Sequence, residues 1–224
     1  MEALLAFAAA LIALRLAGDL VRRWRRSRRP ELAAWSGSLF AYAVASAALA
    51  WGAAAGWDDR AFRVYYLFGG LLTAPLLGAG SLLLVGRRWA GPVALVYTGL
   101  AAGIVAAMEI VEPVTGGSIP EAQTHLDFVP ARLVAVLGNS LGTLAAVVVA
   151  LATIRRRPVG NALILAGVAV AAIGSALAGL GEAETAAFAA AAVVLLWGGF
   201  VFDPARYGRR ARASAPRVSP GPSS

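Results

Sequence analysis

The sequence predicts an all-α fold: a polytopic bundle of seven transmembrane helices, N-terminus outside and C-terminus cytoplasmic. Three observations carry that prediction. Of the 224 residues 59% are hydrophobic and only 14% charged, and the mean hydropathy is +0.72, a balance outside the range of water-soluble domains. The apolar residues come in runs of about 20, the length an α-helix needs to cross a hydrocarbon core roughly 30 Å thick. Between the runs, basic and acidic turns alternate, so the formal charge of +8 is accounted for by arginine-rich turns on one side of a bilayer, and no nucleic acid partner is needed.

The first span, residues 2–21, opens with Glu2 and is followed by Arg22 to Arg29, RRWRRSRR. A cleaved signal peptide has the opposite charge order, so this run reads as a spanning helix that enters from outside and stops at the arginines. Arg15 and Asp19, four apart, are spaced to pair on one helix face. The second span, 31–56, carries Trp35 near one end and Trp51 near the other, the interfacial positions that indole rings favour. It exits at Trp57-Asp58-Asp59-Arg60 into the third span, 61–85, which holds Tyr65, Tyr66 and the one proline deep within a span, Pro75. That proline lacks an N–H and predicts a kink. Arg87 and Arg88 mark the return, and the fourth span, 91–111, has Glu109 near its outer end.

Residues 112–128 form the longest break, an outer loop with Glu121, Asp127 and the one histidine of the chain, His125. The fifth span, 129–154, ends in Arg155-Arg156-Arg157. The sixth, 161–180, turns through Gly181 to Glu184 into the seventh, 185–202. Residues 1–206 thus form one membrane domain. Residues 207–224, rich in Arg, Pro, Ser and Ala, are too polar to build a core and are predicted to be a disordered, basic cytoplasmic tail. With this threading 17 of the 20 basic residues, all arginine, fall on the inner side, and nine of the 12 acids fall on the outer side. That agreement with the positive-inside rule fixes the orientation and places the chain in a cytoplasmic membrane. The use of arginine without lysine, with the surplus of Ala and Gly, points to a GC-rich bacterial genome.

Ionisable groups at the edges of spans are the strongest functional pointers in such a chain. Glu109 and Arg132 lie at similar depth on consecutive helices and are placed to pair, with Glu112, Arg63, Tyr65 and Tyr66 close in projection. Two readings stand: a polar, outward-facing pocket for a small ligand, or an interfacial ion-pair network that locks helices three to five. Gly138-Asn139-Ser140-Leu141-Gly142 matches the G-x-S-x-G pattern of serine hydrolases, but its serine falls near mid-membrane with no base at hand. The same residues make a GxxxG face, Gly138 and Gly142, on which Asn139, Ser140 and Thr143 can bond across to a neighbouring helix. Gly52 with Gly56 and Gly99 with Gly103 repeat the spacing. Without cysteine and with one histidine, disulfides, thiolate metal sites and a bis-histidine haem are excluded. The trio Glu121, His125 and Asp127 in one loop is too sparse for a specific ion, so no metal and no cofactor are expected.

The run Tyr65-Tyr66-Leu67-Phe68-Gly69-Gly70-Leu71-Leu72, with Gly160-Asn161-Ala162-Leu163-Ile164, resembles uncharacterised bacterial seven-helix membrane proteins, a likeness that implies the bundle and supplies no activity. Thr73-Ala74-Pro75-Leu76-Leu77 is superficially similar to the third-helix Thr-Thr-Pro-Leu-Leu of microbial rhodopsins, and Glu184-Thr185 with Phe188 to their seventh helix. That family holds retinal on a seventh-helix lysine; Leu196 stands at that offset here, which excludes a covalent chromophore. A 3+1+3 sugar-transporter plan would require prolines at matching positions in two triplets, and Pro75 has no counterpart.

Three functions follow from these residues. The first is a non-enzymatic ligand-binding or sensory bundle. The alternative is a small-molecule transporter with a polar path through Thr73, Ser81, Tyr97, Thr98, Asn139, Ser140 and Thr143. The third is an intramembrane serine hydrolase using Ser140. The expected partners are the lipid bilayer, with anionic lipid at the Arg22–Arg29 face, and a small ligand.

Overall fold

The structure, a computed structural model, describes residues 2–110, 112–114, 116, 120, 129–155, 158–178 and 185–201. Among these every regular element is helical: α1 (Glu2–Ser27), α2 (Pro30–Ala55), α3 (Asp59–Tyr65), a π-helical segment (Tyr66–Leu72), α4 (Thr73–Leu84), α5 (Ala90–Ala107), α6 (Val129–Ala152), α7 (Pro158–Ala178) and α8 (Thr185–Val201). The segment from α3 through α4 is one continuous rod, so the described helices make seven rods. Five of them, α1, α2, the Asp59–Leu84 rod, α5 and α6, are long and apolar enough to cross a membrane. The tail 207–224 and the loop residues Glu121, His125 and Asp127 lie outside the described residues.

The distribution of side-chain size is that of a protein solvated by lipid. On α1 the buried stripe is Ala6, Ala9, Ala13, Leu16, Ala17 and Leu20, while Leu4, Phe7, Leu11 and Leu14 point outward. On α5, Leu95 and Val96 are exposed by 76% and 74%. Leaving one such side chain in water forgoes about 1.5–3 kcal/mol of burial, whereas hydrocarbon exacts no such cost, and small residues on the inner face let backbones approach.

Local chemistry sets the ends of the rods. Pro30 opens α2 at a position where its missing N–H costs nothing, and Gly56, at φ 90°, closes it with its N–H on the Gly52 carbonyl. The Asp58 carboxylate caps α3 by accepting from the Ala61 N–H at 2.7 Å. The arginine hairpin turns at Arg28, whose φ of 55° lies in the left-handed region that a non-glycine residue seldom occupies. Its N–H closes α1 on the Trp24 carbonyl at 2.7 Å.

Six rods close a ring in the order α1, α2, α4, α6, α7, α8 and back to α1, and α5 lies against the π segment, α4 and α6. One core layer, drawn from Leu16, Leu20, Trp35, Leu39, Leu77, Ala146, Val168 and Leu196, takes a residue from each of the six. It sits toward the arginine hairpin. A second layer gathers Phe62, Tyr66, Leu71, Ile104, Met108 and Ala131 at the far end, and a small third cluster joins Ala9 and Ala13 of α1, Ala43 of α2 and Val193 of α8. Because Trp35 packs against Gly80, the turn carrying Arg87 and Arg88 lies at the hairpin end. Asp58, Asp59, Glu109 and Glu112 lie at the other.

Three local expectations change. The first helix does not stop at residue 21 but runs on through the arginines to Ser27, because cations at a helix C-terminus oppose the negative end of its dipole. Asp19 pairs with Arg22, not with Arg15; Arg15 is exposed, free to extend toward the nearer membrane surface. The fourth helix ends at Ala107: Met108 is extended (φ −66°, ψ 136°) and buried in the far-end core, which draws the chain out of helical register and leaves Glu109 beyond the helix.

Candidate functional site

The middle of the third rod carries the most unusual backbone in the molecule. Tyr66–Leu72 is wound as a π-helix, in which each turn holds one residue more than an α-turn and the hydrogen bonds run to the fifth residue. Pro75 explains why. A residue at 75 would normally donate its N–H to Leu71 or, in the wider register, to Gly70; proline has none to give. In lipid no water replaces it, so the local helix widens and neighbours supply donors. Asn139 of α6 donates through Nδ2 to the Gly70 carbonyl at 2.7 Å. Thr73 turns its own hydroxyl back on the Phe68 carbonyl at 2.7 Å, and Ser38 of α2 donates to the Thr73 carbonyl at 2.7 Å.

Glycines bring these groups within reach. A Cβ at Gly78 would lie 2.6 Å from the Cα of Gly142, and a Cβ at Gly142 would lie 2.7 Å from the Pro75 nitrogen, so α4 and α6 cross backbone against backbone. At Gly138 a Cβ would run into the Tyr97 phenol, which rests there and donates to the Val134 carbonyl at 3.2 Å. The Gly138/Gly142 face therefore packs in two directions, Gly138 against α5 and Gly142 against α4. Gly52 sits under the Trp57 ring, whereas Gly99 and Gly103 have no neighbour within 4 Å of an added Cβ and face outward.

At the far end, Arg63 is half-buried and donates through Nη1 to the Val105 carbonyl at 2.7 Å, a cation neutralising the free carbonyls at the C-terminus of α5. Tyr65 meets Trp57 edge-on at 5.4 Å. Tyr66 stacks on Phe62 at 6.0 Å and lies within electrostatic range of Arg132 and Tyr97. Arg132, Glu109 and Glu112 are exposed, and no Glu109–Arg132 ion pair forms among the described residues, since the early end of α5 carries Glu109 past the helix. A shallow cleft opens between Asp58, Asp59, Arg60, Pro113 and Val114, floored by the Val114 N–H donating to Asp59 at 3.1 Å.

The structure thus places Arg63, Tyr65 and Tyr66 at the start of the π segment with different partners, Arg63 on the end of α5, Tyr65 on Trp57 and Tyr66 within electrostatic range of Arg132, and leaves Glu109 and Glu112 exposed at the same end. Reading the sequence missed the Asp58–Arg60 cleft and Trp57. The Trp57 indole N–H is buried without an acceptor among the described residues, and a donor of that kind calls for a partner. Its signal in the sequence was a tryptophan between Gly56 and two aspartates.

Of the seven residues of the candidate translocation path, five donate to backbone carbonyls. Ser81 donates to the Leu77 carbonyl at 3.0 Å, Thr98 to Ala94 at 2.8 Å, and Thr73, Tyr97 and Asn139 bond as above. Ser140 points outward from α6, away from the glycine faces on either side of it. Among the described residues no three His, Cys, Asp or Glu side chains gather as a metal site. No protein-family model, curated protein or solved structure matches the chain.

Proposed function

We propose that the chain is a non-enzymatic, seven-span protein of the bacterial cytoplasmic membrane, N-terminus outside and C-terminus inside, that binds a small polar ligand at its outer end and senses it through the third rod. The π-helical turn at Tyr66–Leu72 carries this reading. Such turns concentrate at functional sites, and this one begins at Tyr66, which lies within electrostatic range of Arg132 and follows Arg63 and Tyr65 in the chain. A shift of one residue between π and α registers would turn the Arg63–Tyr66 stretch about 100° against α4. A ligand held by these side chains in one register and not in the other would shift the balance between the two. Asn139, Ser38 and Thr73 supply the donors that hold the present register.

Mass spectrometry of small molecules that co-purify in mild detergent tests the proposal, comparing wild type with the Glu109→Gln/Arg132→Gln double variant. Both positions are exposed, so the variant should fold. A compound present with wild type and lost from the variant is the expected result and would name the ligand class. No compound with either protein, the variant still folded, would overturn the binding reading.

A further inference from the structure

The arginine hairpin continues an apolar groove. On the outward side of α1 and α2 lies an open channel of about 370 Å³, walled by Leu14, Val21 and Phe40 and floored by Gly18, Ala33 and Gly37. On α1 its residues recur at the three- and four-residue spacing of one helix face, and the next position along that face is Arg25; Arg28 follows in the turn just beyond Ser27, where α1 ends. α2 begins at Pro30, one turn before Ala33, directly after Arg29 at its N-cap. The groove therefore runs about 10 Å through the apolar part of the hairpin and points along both helices toward the arginine turn that joins them.

The charges at that end are not balanced from within. Asp19 takes Arg22, and the buried Glu31 takes Arg29 at 2.5 Å. Arg23, Arg25, Arg26 and Arg28 have no carboxylate partner among the described residues, and Arg28 lies over the Trp24 ring at 5.8 Å. Two further features have no explanation in the packing of the chain on itself. Gly18 sits within a helix with nothing within 4 Å of where its Cβ would be, although glycine there costs roughly 0.5–1 kcal/mol against alanine. Arg28 keeps a left-handed backbone that asparagine or glycine would adopt more readily.

We infer that this groove and the arginines above it form a site for one anionic phospholipid, with an acyl chain along Gly18 and Gly37 and its phosphate held by Arg25 and Arg28. Apolar lining and uncompensated positive charge at one end match an acyl chain joined to a phosphate, and the site opens to the leaflet that would deliver it. Gly18 leaves room for the chain, and Arg28, in its left-handed turn, holds its guanidinium over the Trp24 ring one turn beyond Val21. Guanidinium is suited to the task because it meets phosphate oxygens with paired N–H donors.

Native mass spectrometry of the full chain, purified from nanodiscs of equal phosphatidylglycerol and phosphatidylcholine, tests the site. Wild type is expected to retain one phosphatidylglycerol in preference to phosphatidylcholine. Gly18→Leu puts a side chain into the groove from a position where an added Cβ has no neighbour within 4 Å, and Arg25→Gln/Arg28→Asn removes the phosphate ligands while suiting the turn. Each should lower phosphatidylglycerol retention on the order of tenfold, and the second should do so with the thermal midpoint unchanged or raised. Equal retention of the two lipids by wild type would overturn the site. So would full retention in Gly18→Leu, which would leave surface charge alone as the cause, or full retention in the arginine variant.

Discussion

At the scale of single residues, the molecule is held where glycine removes a side chain between two backbones. Gly142 lies against Ala74 and Pro75, and a Cβ there would stand 2.7 Å from the Pro75 nitrogen, with backbone on both sides that cannot move aside. Gly142→Ala is expected to cost about 1–3 kcal/mol as overpacking, read as a lower thermal midpoint in detergent. Gly99→Ala, with open space around it, should leave the midpoint unchanged or slightly raised. Equal losses at both positions would show that the close crossing is not what stabilises the bundle. The sequence made Gly138, Gly142, Gly99 and Gly103 equivalent, since all share the four-residue spacing. Only the three-dimensional neighbours separate them: Tyr97 and Ala74 cover the first pair, and nothing covers the second. In the same way Asp19 has arginines at three and at four residues, and spacing alone did not choose Arg22.

At the scale of elements, the third rod joins sequence to proposed function. Pro75 was legible as a disruption, because a missing N–H in hydrocarbon must be answered somewhere. The answer was not legible, because it depends on Asn139, 64 positions away, reaching the Gly70 carbonyl. If Asn139 substitutes for the absent donor, the two residues are energetically coupled. Asn139→Ala should cost about 1–2 kcal/mol in the wild-type background, where a half-buried carbonyl loses its partner, and markedly less in Pro75→Ala, where a backbone N–H is restored. A double-mutant cycle on thermal or denaturant unfolding measures this directly. Strict additivity would contradict the account of the π segment. The early end of α5 at Ala107 was hidden for a related reason. Met108 and Ile110 continue the apolar pattern, and it is the far-end core, which buries Met108, that ends the helix and sets Glu109 apart from Arg132.

At the scale of the whole molecule, the all-helical character and the membrane-length rods were legible because apolar run length and turn charge are global properties that no single contact overrides. The arrangement of the rods was not, because small residues that permit close approach do not say which neighbour approaches. The ring places the arginine hairpin and the Arg87–Arg88 turn at one end and Asp58, Asp59, Glu109 and Glu112 at the other. Both the ligand site and the lipid site proposed above rest on which end faces the cytoplasm. The chain has no cysteine, so single cysteines can be read without background. The decisive measurement is labelling of Glu109→Cys and Arg26→Cys, both at exposed positions, with a membrane-impermeant maleimide in spheroplasts. The account predicts that Glu109→Cys reacts in intact spheroplasts and Arg26→Cys only after lysis. Reaction of Arg26→Cys in intact spheroplasts, with Glu109→Cys protected, would invert the topology and contradict it.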